Sequence, residues 1–344
     1  MKNKYYTIDK EKNKEIINIK EMPILYKYQT INEHSVNALI NNEVWATVPT
    51  NFNDPYDMIY CYSSSHIKGV IKDKLTDERL LKYSKFFEKK SKTAIIKTIS
   101  DSLLSNFNDN FRKQYCVSCF SEVFDSEIMW GHYANCAKGF VIAYSGNDLM
   151  SKAFEKNETF FELSKQFNFF NIDFSNVKKD NLTTIAPVIY SNGKKNFDNE
   201  IIDSLDPLLE YFDDLCENKT VEESINAFIK KIQQRYFDKN DLHNDSFYSA
   251  LCNKHKSWSY EKEWRIWSYN SNALTGQLND PYVCIGNVKP KAIYLGEKIS
   301  PYDEQAMLAI AKEKLHISVY KMKTKMFKNR CKLQAELLYK GAKL

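Results

Sequence analysis

The chain has little glycine and little proline for its length. Among 344 residues there are 9 Gly and 8 Pro, which excludes a collagen-like repeat and argues against a disordered chain. The hydrophobic fraction of 43% and the charged fraction of 27% are close to those of ordinary globular proteins. A chain of this length and composition can bury a substantial core.

Long apolar runs and glycine-rich phosphate loops are also missing. No run of about 18 apolar residues occurs, so no membrane span is expected. The polar start, MKNKYYTIDKEKNKEI, lacks the apolar core of a secretion signal. Without such a signal, the eight scattered Cys favour reduced thiols and a cytoplasmic location. Neither G-x-G-x-x-G nor G-x-x-x-x-G-K-[ST] is present, which excludes these two phosphate-binding loops.

Positive charge is concentrated at the C-terminus. The net charge is +5, but residues 312–344 alone carry ten basic and two acidic side chains. A basic segment of this kind is typical of nucleic-acid contacts, and it is also typical of a solvated surface. We therefore expect a basic tail over 324–344 that offers a nucleic-acid binding site, with a simple charged surface as the alternative.

The pattern of strands and helices predicts an α+β protein. Strand character is predicted at 25–28, 44–48, 115–121, 139–145, 186–191, 263–269, 282–286, 292–296 and 317–323. Helices of unequal length separate these strands, which favours a single mixed β-sheet domain with long helical insertions at 66–114 and 150–255. The expected organisation is a lead-in over 1–22, one domain over 23–323 and the basic tail.

Helix boundaries have local signals. Thr30 or Asn32 is expected to cap the helix in INEHSVNALINNE, and Thr220 with Glu223 has the spacing of a capping box. The helix SEIMWGHYA (126–134) is expected to end towards Gly139, where glycine permits a left-handed C-cap.

The stretch FNDPYD (52–57) predicts a rigid turn. Pro55 restricts Asp54 to extended backbone, and the side chains of Asn53 and Asp54 can close the turn on nearby N–H groups. Asp57 then leaves the turn in a fixed direction, as a residue at the edge of a site should. A purely architectural turn is the alternative.

A zinc site is suggested by the spacing of four residues and opposed by their setting. Cys116, Cys119, His132 and Cys136 follow C-x2-C-x12-H-x3-C. Cys116 and Cys119 fall within one predicted strand, where positions three apart point to opposite faces. We predict no metal, and zinc binding by these residues is left open.

Two further stretches carry candidate catalytic and binding residues. In the helix 126–134, His132 and Tyr133 lie near one face of the helix, with His132 as a candidate catalytic residue and Tyr133 as a candidate binding residue. Trp130 is a further candidate binding residue. In YEKEWRIW (260–267), period two places Glu261, Glu263 and Arg265 on one face of a strand, with Glu263 as the candidate catalytic acid. Lys256 lies just upstream. An ion pair on a solvated sheet face, worth at most about 1 kcal/mol, is the alternative.

Seven stretches together carry a family resemblance: LYKY, FNDPYD, CFSE, MWGHYA, KGFVIAY, K-x-W-x-YEKEWRI and AIYLG. In this order, from about residue 24 to 296, they resemble a bacterial family known as domain of unknown function 2971. The resemblance implies a cytoplasmic bacterial protein, often associated with defence, without an established reaction.

The stretch LYKYQTINEHSVNALINNEVWAT is similar to the opening of ADP-ribosyltransferase-like domains. That resemblance implies a split sheet that binds NAD as a substrate between the first strand, a central aromatic and a later Glu. Tyr26, Lys27 or Tyr28 would take the first place, His132 or Tyr133 the second and Glu263 the third. The implied function is a toxin or phage-defence enzyme with a protein target or an antitoxin.

Two other function classes remain open. Asp54, Asp57, Glu122, His132 and Glu263 have the ligand types of a metal-dependent nuclease or phosphoesterase. The aromatic content and the basic tail also suit a non-enzymatic module that binds nucleic acid or protein.

Overall fold

The fold was obtained as a computed structural model. The structure describes residues 3–11, 14–59, 61–86, 91–104, 108, 112–113, 115–155, 184–193, 196–203, 205–206, 209–210, 213, 251–269, 281–328 and 330–342.

Short strands and helices follow one another along these residues. The strands are β1 Tyr6–Glu11, β2 Lys14–Ile19, β3 Ile24–Gln29, β4 Glu43–Thr47, β5 Tyr115–Ser121, β6 Phe140–Ser145, β7 Thr184–Pro187, β8 Ile189–Ser191, β9 Asn253–His255, β10 Glu263–Tyr269, β11 Tyr282–Asn287, β12 Ala292–Leu295, β13 Ser318–Phe327 and β14 Arg330–Tyr339. The α-helices are α1 Glu33–Ile40, α2 Ser64–Lys74, α3 Asp77–Phe86, α4 Lys92–Leu104, α5 Glu127–Tyr133, α6 Gly146–Glu155, α7 Asp198–Asp203 and α8 Pro301–Ala309. Two 3-10 helices, Pro49–Asn51 and Lys256–Glu261, and a π-helical turn, Ile310–Leu315, complete the set.

One mixed sheet organises the fold. Ten strands belong to it among the described residues, in the order β11-β4-β5-β3-β6-β12-β13-β14, with β10 also paired to β5 and β7 paired to β10. Its pairs are antiparallel except for β12 with β13. The predicted α+β class with one main mixed sheet is confirmed.

The sheet splits beside β5. One edge of β5 pairs with β10 along its whole length, from Tyr115 to Ser121. At the other edge, β3 and β4 each meet β5 through a single residue pair, Tyr26–Ser121 and Thr47–Val117. Between these two points the strands diverge, which leaves room for a cavity in the middle of the sheet.

Local sequence explains the helix ends near this split. Asn32 caps α1 through a reciprocal pair of hydrogen bonds with Ser35, as the capping prediction allowed. Ser300 caps α8, with Pro301 at the first helical position. The helix α5 ends at Tyr133, earlier than predicted, and left-handed backbone is taken by residues 135–137 instead of Gly139.

Hydrophobic side chains cover both faces of the sheet. The largest cluster includes Leu25, Phe140, Trp264, Ile266 and Val319, all fully buried or nearly so. A second cluster packs around Tyr115 and Trp267, and a third around Trp130.

The segments at the two ends have regular structure. The lead-in over 1–22 contains the hairpin β1–β2, and the basic segment 324–344 contains the end of β13 and the outer strand β14. Helices α2, α3 and α4 lie in the first predicted insertion. Most of the second insertion, including the capping box at Thr220 and Glu223, lies outside the described residues. Across the described ranges, no helix has the length and apolarity needed to span a membrane.

Candidate functional site

A cavity of about 460 Å³ lies where β3 and β4 diverge from β5. Its walls come from β3, α1, β4, the FNDPYD turn, β5, α5 and the segment 254–263. Ligand sites typically measure roughly 300–1,000 Å³, so the cavity has the volume of a small-molecule site.

A buried ionic cluster forms one wall of this cavity, and Arg265 lies at its centre. The guanidinium of Arg265 donates through Nε to Glu263 Oε1 at 2.7 Å and through Nη2 to Asp57 Oδ2 at 2.6 Å. It also donates to the carbonyl of Leu251 at 2.7 Å. Since Arg265 is fully buried, these bonds replace the water that its charge has lost.

Lys254 links the three carboxylates of the cluster. Its Nζ lies 2.7 Å from Glu261 Oε2, 3.1 Å from Glu263 Oε2 and 3.4 Å from Asp57 Oδ2. Burial alone would lower the pKa of Lys254, but the carboxylates of Glu263 and Asp57 raise it above its ordinary value. Lys254 therefore stays charged.

Glu261 and Glu263 have opposite pKa shifts. Burial raises the pKa of Glu261 to about 7, and the nearby charge of Glu263 adds to the rise. Burial also acts on Glu263, but Arg265 and Lys254 together hold its pKa well below the ordinary value. The site thus contains a carboxylate that stays ionised beside one that exchanges a proton near neutral pH.

Tyr133 and Asn53 extend the cluster. The hydroxyl of Tyr133 donates to Glu261 Oε1 and accepts from Asn53 Nδ2 at 3.1 Å. Burial, followed by the charge of Glu261, raises the pKa of Tyr133 above its ordinary range. Tyr133 therefore remains a neutral donor.

The FNDPYD turn holds Asp57 against the cluster. Asp54 Oδ1 accepts from the backbone N–H of Tyr56 at 2.9 Å, which closes the turn as predicted. Arg112 donates to the carbonyl of Pro49 at 2.6 Å and to that of Pro55, in the turn, at 3.4 Å. Asp57 lines the cavity and is 2% exposed, and its Oδ1 has no hydrogen-bond partner among the described residues. Within the described residues, this oxygen is a buried, unsatisfied acceptor beside the cavity.

Lys27 supplies a separate positive charge at the cavity wall. Its Nζ donates to Ser118 Oγ at 2.6 Å and lies 5.0 Å from the ring centre of Phe120. In the part of the chain that the structure describes, no carboxylate forms a salt bridge with Lys27. Burial lowers the pKa of this lysine to about 8. Its ammonium group suits an anionic part of a ligand.

Aromatic rings line another part of the cavity. The ring of His34 lies 5.4 Å from that of Trp45 and 5.9 Å from that of Tyr282. All three residues line the cavity and keep some solvent exposure. Rings in this arrangement can stack on a planar ligand group.

The structure brings most of the predicted site residues to the cavity. Glu263 and Asp57 are cluster members, and further lining residues are Tyr26, Lys27, Tyr28, Asn53 and Tyr133. Arg265 lies directly behind Glu263 and Asp57. Asp54 shapes the turn.

Three predicted residues lie elsewhere. His132 is exposed and its ring stacks against Tyr260 at 6.5 Å. Met129 and Tyr133, four positions apart, are the residues of α5 that line the cavity, so His132 is turned towards solvent. Trp130 is buried in a separate hydrophobic cluster, and Lys256 is exposed. This arrangement removes the structural basis for a catalytic role of His132.

The residues with metal-ligand character do not converge. Cys116 is buried in the main core, Cys119 is near Glu263 and Cys136 is exposed. Glu122, a ligand in the nuclease alternative, accepts a hydrogen bond from Trp264 Nε1 at 2.8 Å. Within the described ranges, no group of three or more His, Cys, Asp or Glu side chains could hold a metal ion.

Sequence reasoning did not include several residues of the site among its candidates, His34, Trp45 and Tyr282 among them. Lys254 and Glu261 belong to the ionic cluster, Cys119 hydrogen-bonds to Glu263, and the hydroxyl of Tyr190 accepts from the backbone N–H of Glu263 at 2.9 Å. Glu261 shares the YEKEWRIW stretch with Glu263, so its charge and spacing were available as a signal. Lys254 and Tyr190 reach the site through the short parallel pair β8–β9, which no local pattern indicates.

Comparison with known proteins supports one of the two resemblances. Neither a curated protein nor a solved structure matches the chain. The predicted similarity to ADP-ribosyltransferase-like domains stays a prediction, as do a nucleic-acid partner, a protein target and an antitoxin. A family model described as protein of unknown function (DUF2971) matches residues 129–266, a shorter span than predicted. Over this segment, which contains Tyr133, Lys254, Glu261, Glu263 and Arg265, the resemblance to that family is confirmed.

Proposed function

We propose that the cavity is an active site that cleaves the bond between nicotinamide and ribose in NAD. The observation that carries this proposal is that Glu261 and Glu263 line one wall of the cavity and both bind Lys254; their pKa values are shifted in opposite directions. When their environments shift the pKa values of two neighbouring acids in opposite directions, the two acids commonly have different chemical roles. Both carboxylates are held by Lys254, so their separation is fixed.

Glu263 would supply fixed negative charge. Cleavage of a glycosidic bond builds positive charge on the sugar ring, which a preorganised carboxylate stabilises. Glu263 is tied to Arg265, Lys254 and Cys119, so it would not need to reorganise during the reaction. The free Oδ1 of Asp57 is suited to accept a hydrogen bond from a ribose hydroxyl.

Glu261 would act as a general base. The bond from the ribose carbon to the pyridinium nitrogen breaks, and its electron pair neutralises the nicotinamide ring. A water molecule or an acceptor hydroxyl then bonds to the ribose carbon, and its proton passes to the ionised Glu261. A base works only when ionised, so the rate should rise with pH through the pKa of Glu261, about 7, and then level off.

The remaining walls suit the rest of the substrate. The rings of His34, Trp45 and Tyr282 can stack on a planar heterocycle. Lys27 can pair with a phosphate. An enzyme that consumes NAD would deplete the cellular pool, which is the property expected of a toxin or a phage-defence effector.

The test is NAD turnover, followed as release of nicotinamide between pH 5.5 and 9. We expect Glu263→Gln to lower kcat by at least about 100-fold, the usual effect of removing an electrostatic contact to a transition state. Glu261→Gln should abolish the rise in rate near pH 7. Glu127→Gln, on the exposed start of α5, is the matched control and should behave as wild type.

Two controls distinguish loss of catalysis from loss of folding and from weaker substrate binding. Melting curves show whether the cluster variants remain folded, and Lys27→Met, outside the ionic cluster, should raise KM more than it lowers kcat. Absence of NAD turnover by the folded wild type at every pH would refute the proposal. Cleavage of DNA or RNA that EDTA suppresses would instead favour the metal-dependent nuclease.

A further inference from the structure

We propose that the hairpin β13–β14 is a docking surface for duplex nucleic acid, independent of the chemistry in the cavity. The shape of the hairpin is the first observation. The neighbouring strand β12 pairs only with residues 318–321 of β13. Beyond that point, residues 322–327 pair with β14 within the described chain. At about 3.4 Å per residue, a two-stranded ribbon about 20 Å long extends past the sheet.

One face of this ribbon is basic. In the register of the hairpin, Lys325 faces Lys332. On the same face, Lys323 lies two residues nearer the sheet on β13, and Arg330 lies two residues nearer the turn on β14. Lys328 follows at the turn. Five cations thus lie close together within residues 322–339, a segment whose only acidic residue is Glu336.

Few of these charges are neutralised. Lys325 pairs with Glu336 at 2.8 Å, and Lys321, nearer the sheet, pairs with Glu304. The other four cations of the ribbon are exposed, and the structure shows no carboxylate in salt-bridge contact with them among the residues it describes. These four are Lys323, Lys328, Arg330 and Lys332.

The opposite face anchors the ribbon. Met322 and Leu333 are buried against Trp130 and Val141, with Ala335 packed beside them. Glu297 accepts from the backbone N–H of Thr324 at 2.9 Å and from its hydroxyl at 2.7 Å. The basic face is therefore held in a fixed orientation.

Duplex nucleic acid fits this surface better than a membrane does. A two-stranded ribbon can enter the major groove, which is about 12 Å wide, and its cations can contact the phosphates on either side. A membrane surface would need a broad apolar area beside the cations. The exposed Met326 lies on the other face of the ribbon by alternation along the strands, and the exposed Leu337 and Leu338 lie nearer the sheet, outside the ribbon.

The test is fluorescence anisotropy with a labelled DNA duplex of about 20 base pairs, two turns of helix, titrated between 50 and 300 mM salt. The variant replaces Lys323, Lys328, Arg330 and Lys332 with Gln. Each lost phosphate contact reduces the slope of log K against log salt by about 0.9, so we expect a slope smaller by about 3 to 4. At 50 mM salt the affinity should fall by at least tenfold.

A second variant controls for net charge. It replaces Lys20, Lys72, Lys289 and Lys314, four exposed lysines outside the ribbon, with Gln. We expect its binding to stay within about twofold of wild type, and melting curves verify that both variants fold. Equal weakening in the two variants, no binding by the wild type at 50 mM salt, or binding to vesicles containing phosphatidylserine without binding to the duplex would each overturn the proposal.

Discussion

At the scale of single residues, Arg265 holds the ionic cluster of the cavity wall together. It is fully buried and contacts Glu263, Asp57 and the Leu251 carbonyl at once. A buried ion pair adds little net stability when compared with apolar residues of equal volume. Loss of one partner is different, because the remaining charges stay buried without compensation.

We expect Arg265→Met to lower the free energy of unfolding by about 3–5 kcal/mol, the typical cost of breaking a buried charge pair. Arg265→Lys should cost less, because it keeps the charge but not the paired hydrogen bonds to Glu263. Urea unfolding measures both. Lys68→Met breaks the exposed pair with Asp101 and should cost less than about 1 kcal/mol. A cost for Arg265→Met as small as that of Lys68→Met would contradict this account.

The sequence placed Glu263 and Arg265 on one strand face, and it could not tell whether that face was buried. Alternation of charged and apolar residues is the same for a solvated sheet face and for a cavity wall. Burial here depends on the FNDPYD turn, which lies more than 200 positions away and brings Asp57 to Arg265. The turn itself was predictable, because Pro55 and Asp54 act locally.

At the scale of elements, the connection between α5 and β6 is the tightest segment near the site. Residues 135–137 all have positive φ, and the N–H of Gly139 donates to the Ala134 carbonyl at 2.8 Å. A Cβ at Gly139 would lie 2.1 Å from the carbonyl oxygen of Gln29. The glycine is therefore required for close approach of two backbones.

We expect Gly139→Ala to destabilise the protein by about 1–3 kcal/mol, since the backbone must shift to admit the methyl group. The control is Gly131→Ala in α5, where a Cβ would meet nothing within 4 Å. That change should stabilise the helix by about 0.5–1 kcal/mol. Melting temperatures should therefore move in opposite directions. A shift of the same sign in both variants would argue against the steric explanation.

Most strands were predictable as elements, whereas their partners were not. The strands at 115–121 and 263–269 were predicted at the observed residues, because β-branched and aromatic residues recur along them between turn signals. The strand Arg330–Tyr339 was expected to be a basic tail. The positive charge of this segment suggested that it is solvated. The structure shows instead that it pairs with β13 and buries Leu333.

At the scale of the whole molecule, the hairpin β1–β2 joins two hydrophobic clusters. Tyr6 and Ile19 pack against both the main core and the cluster around Trp267. The ring of Tyr6 meets that of Trp264 edge-on, with centroids 5.9 Å apart. Trp264 is fully buried on the strand that carries Glu263, so the hairpin covers the back of the site.

We expect Tyr6→Ala to lower the free energy of unfolding by about 2 kcal/mol, as for loss of a large, partly buried side chain. Removal of residues 2–20 should cost more and should expose Trp264. Acrylamide quenching of tryptophan fluorescence and urea unfolding measure the two effects. The exposed Tyr302→Ala is the control and should change neither. Unchanged quenching after removal of the hairpin would show that it does not cover the core.

The left-handed backbone of Lys262, with φ 44° and ψ 53°, has a consequence for how this protein can diverge. Lys262 ends the 3-10 helix that carries Glu261, directly before Glu263 begins β10. Its side chain is exposed, yet β-branched residues adopt this conformation only with strain. The position should therefore admit glycine or asparagine more readily than valine or isoleucine. Substitution at this exposed residue is thus restricted by the backbone conformation that connects the 3-10 helix to β10.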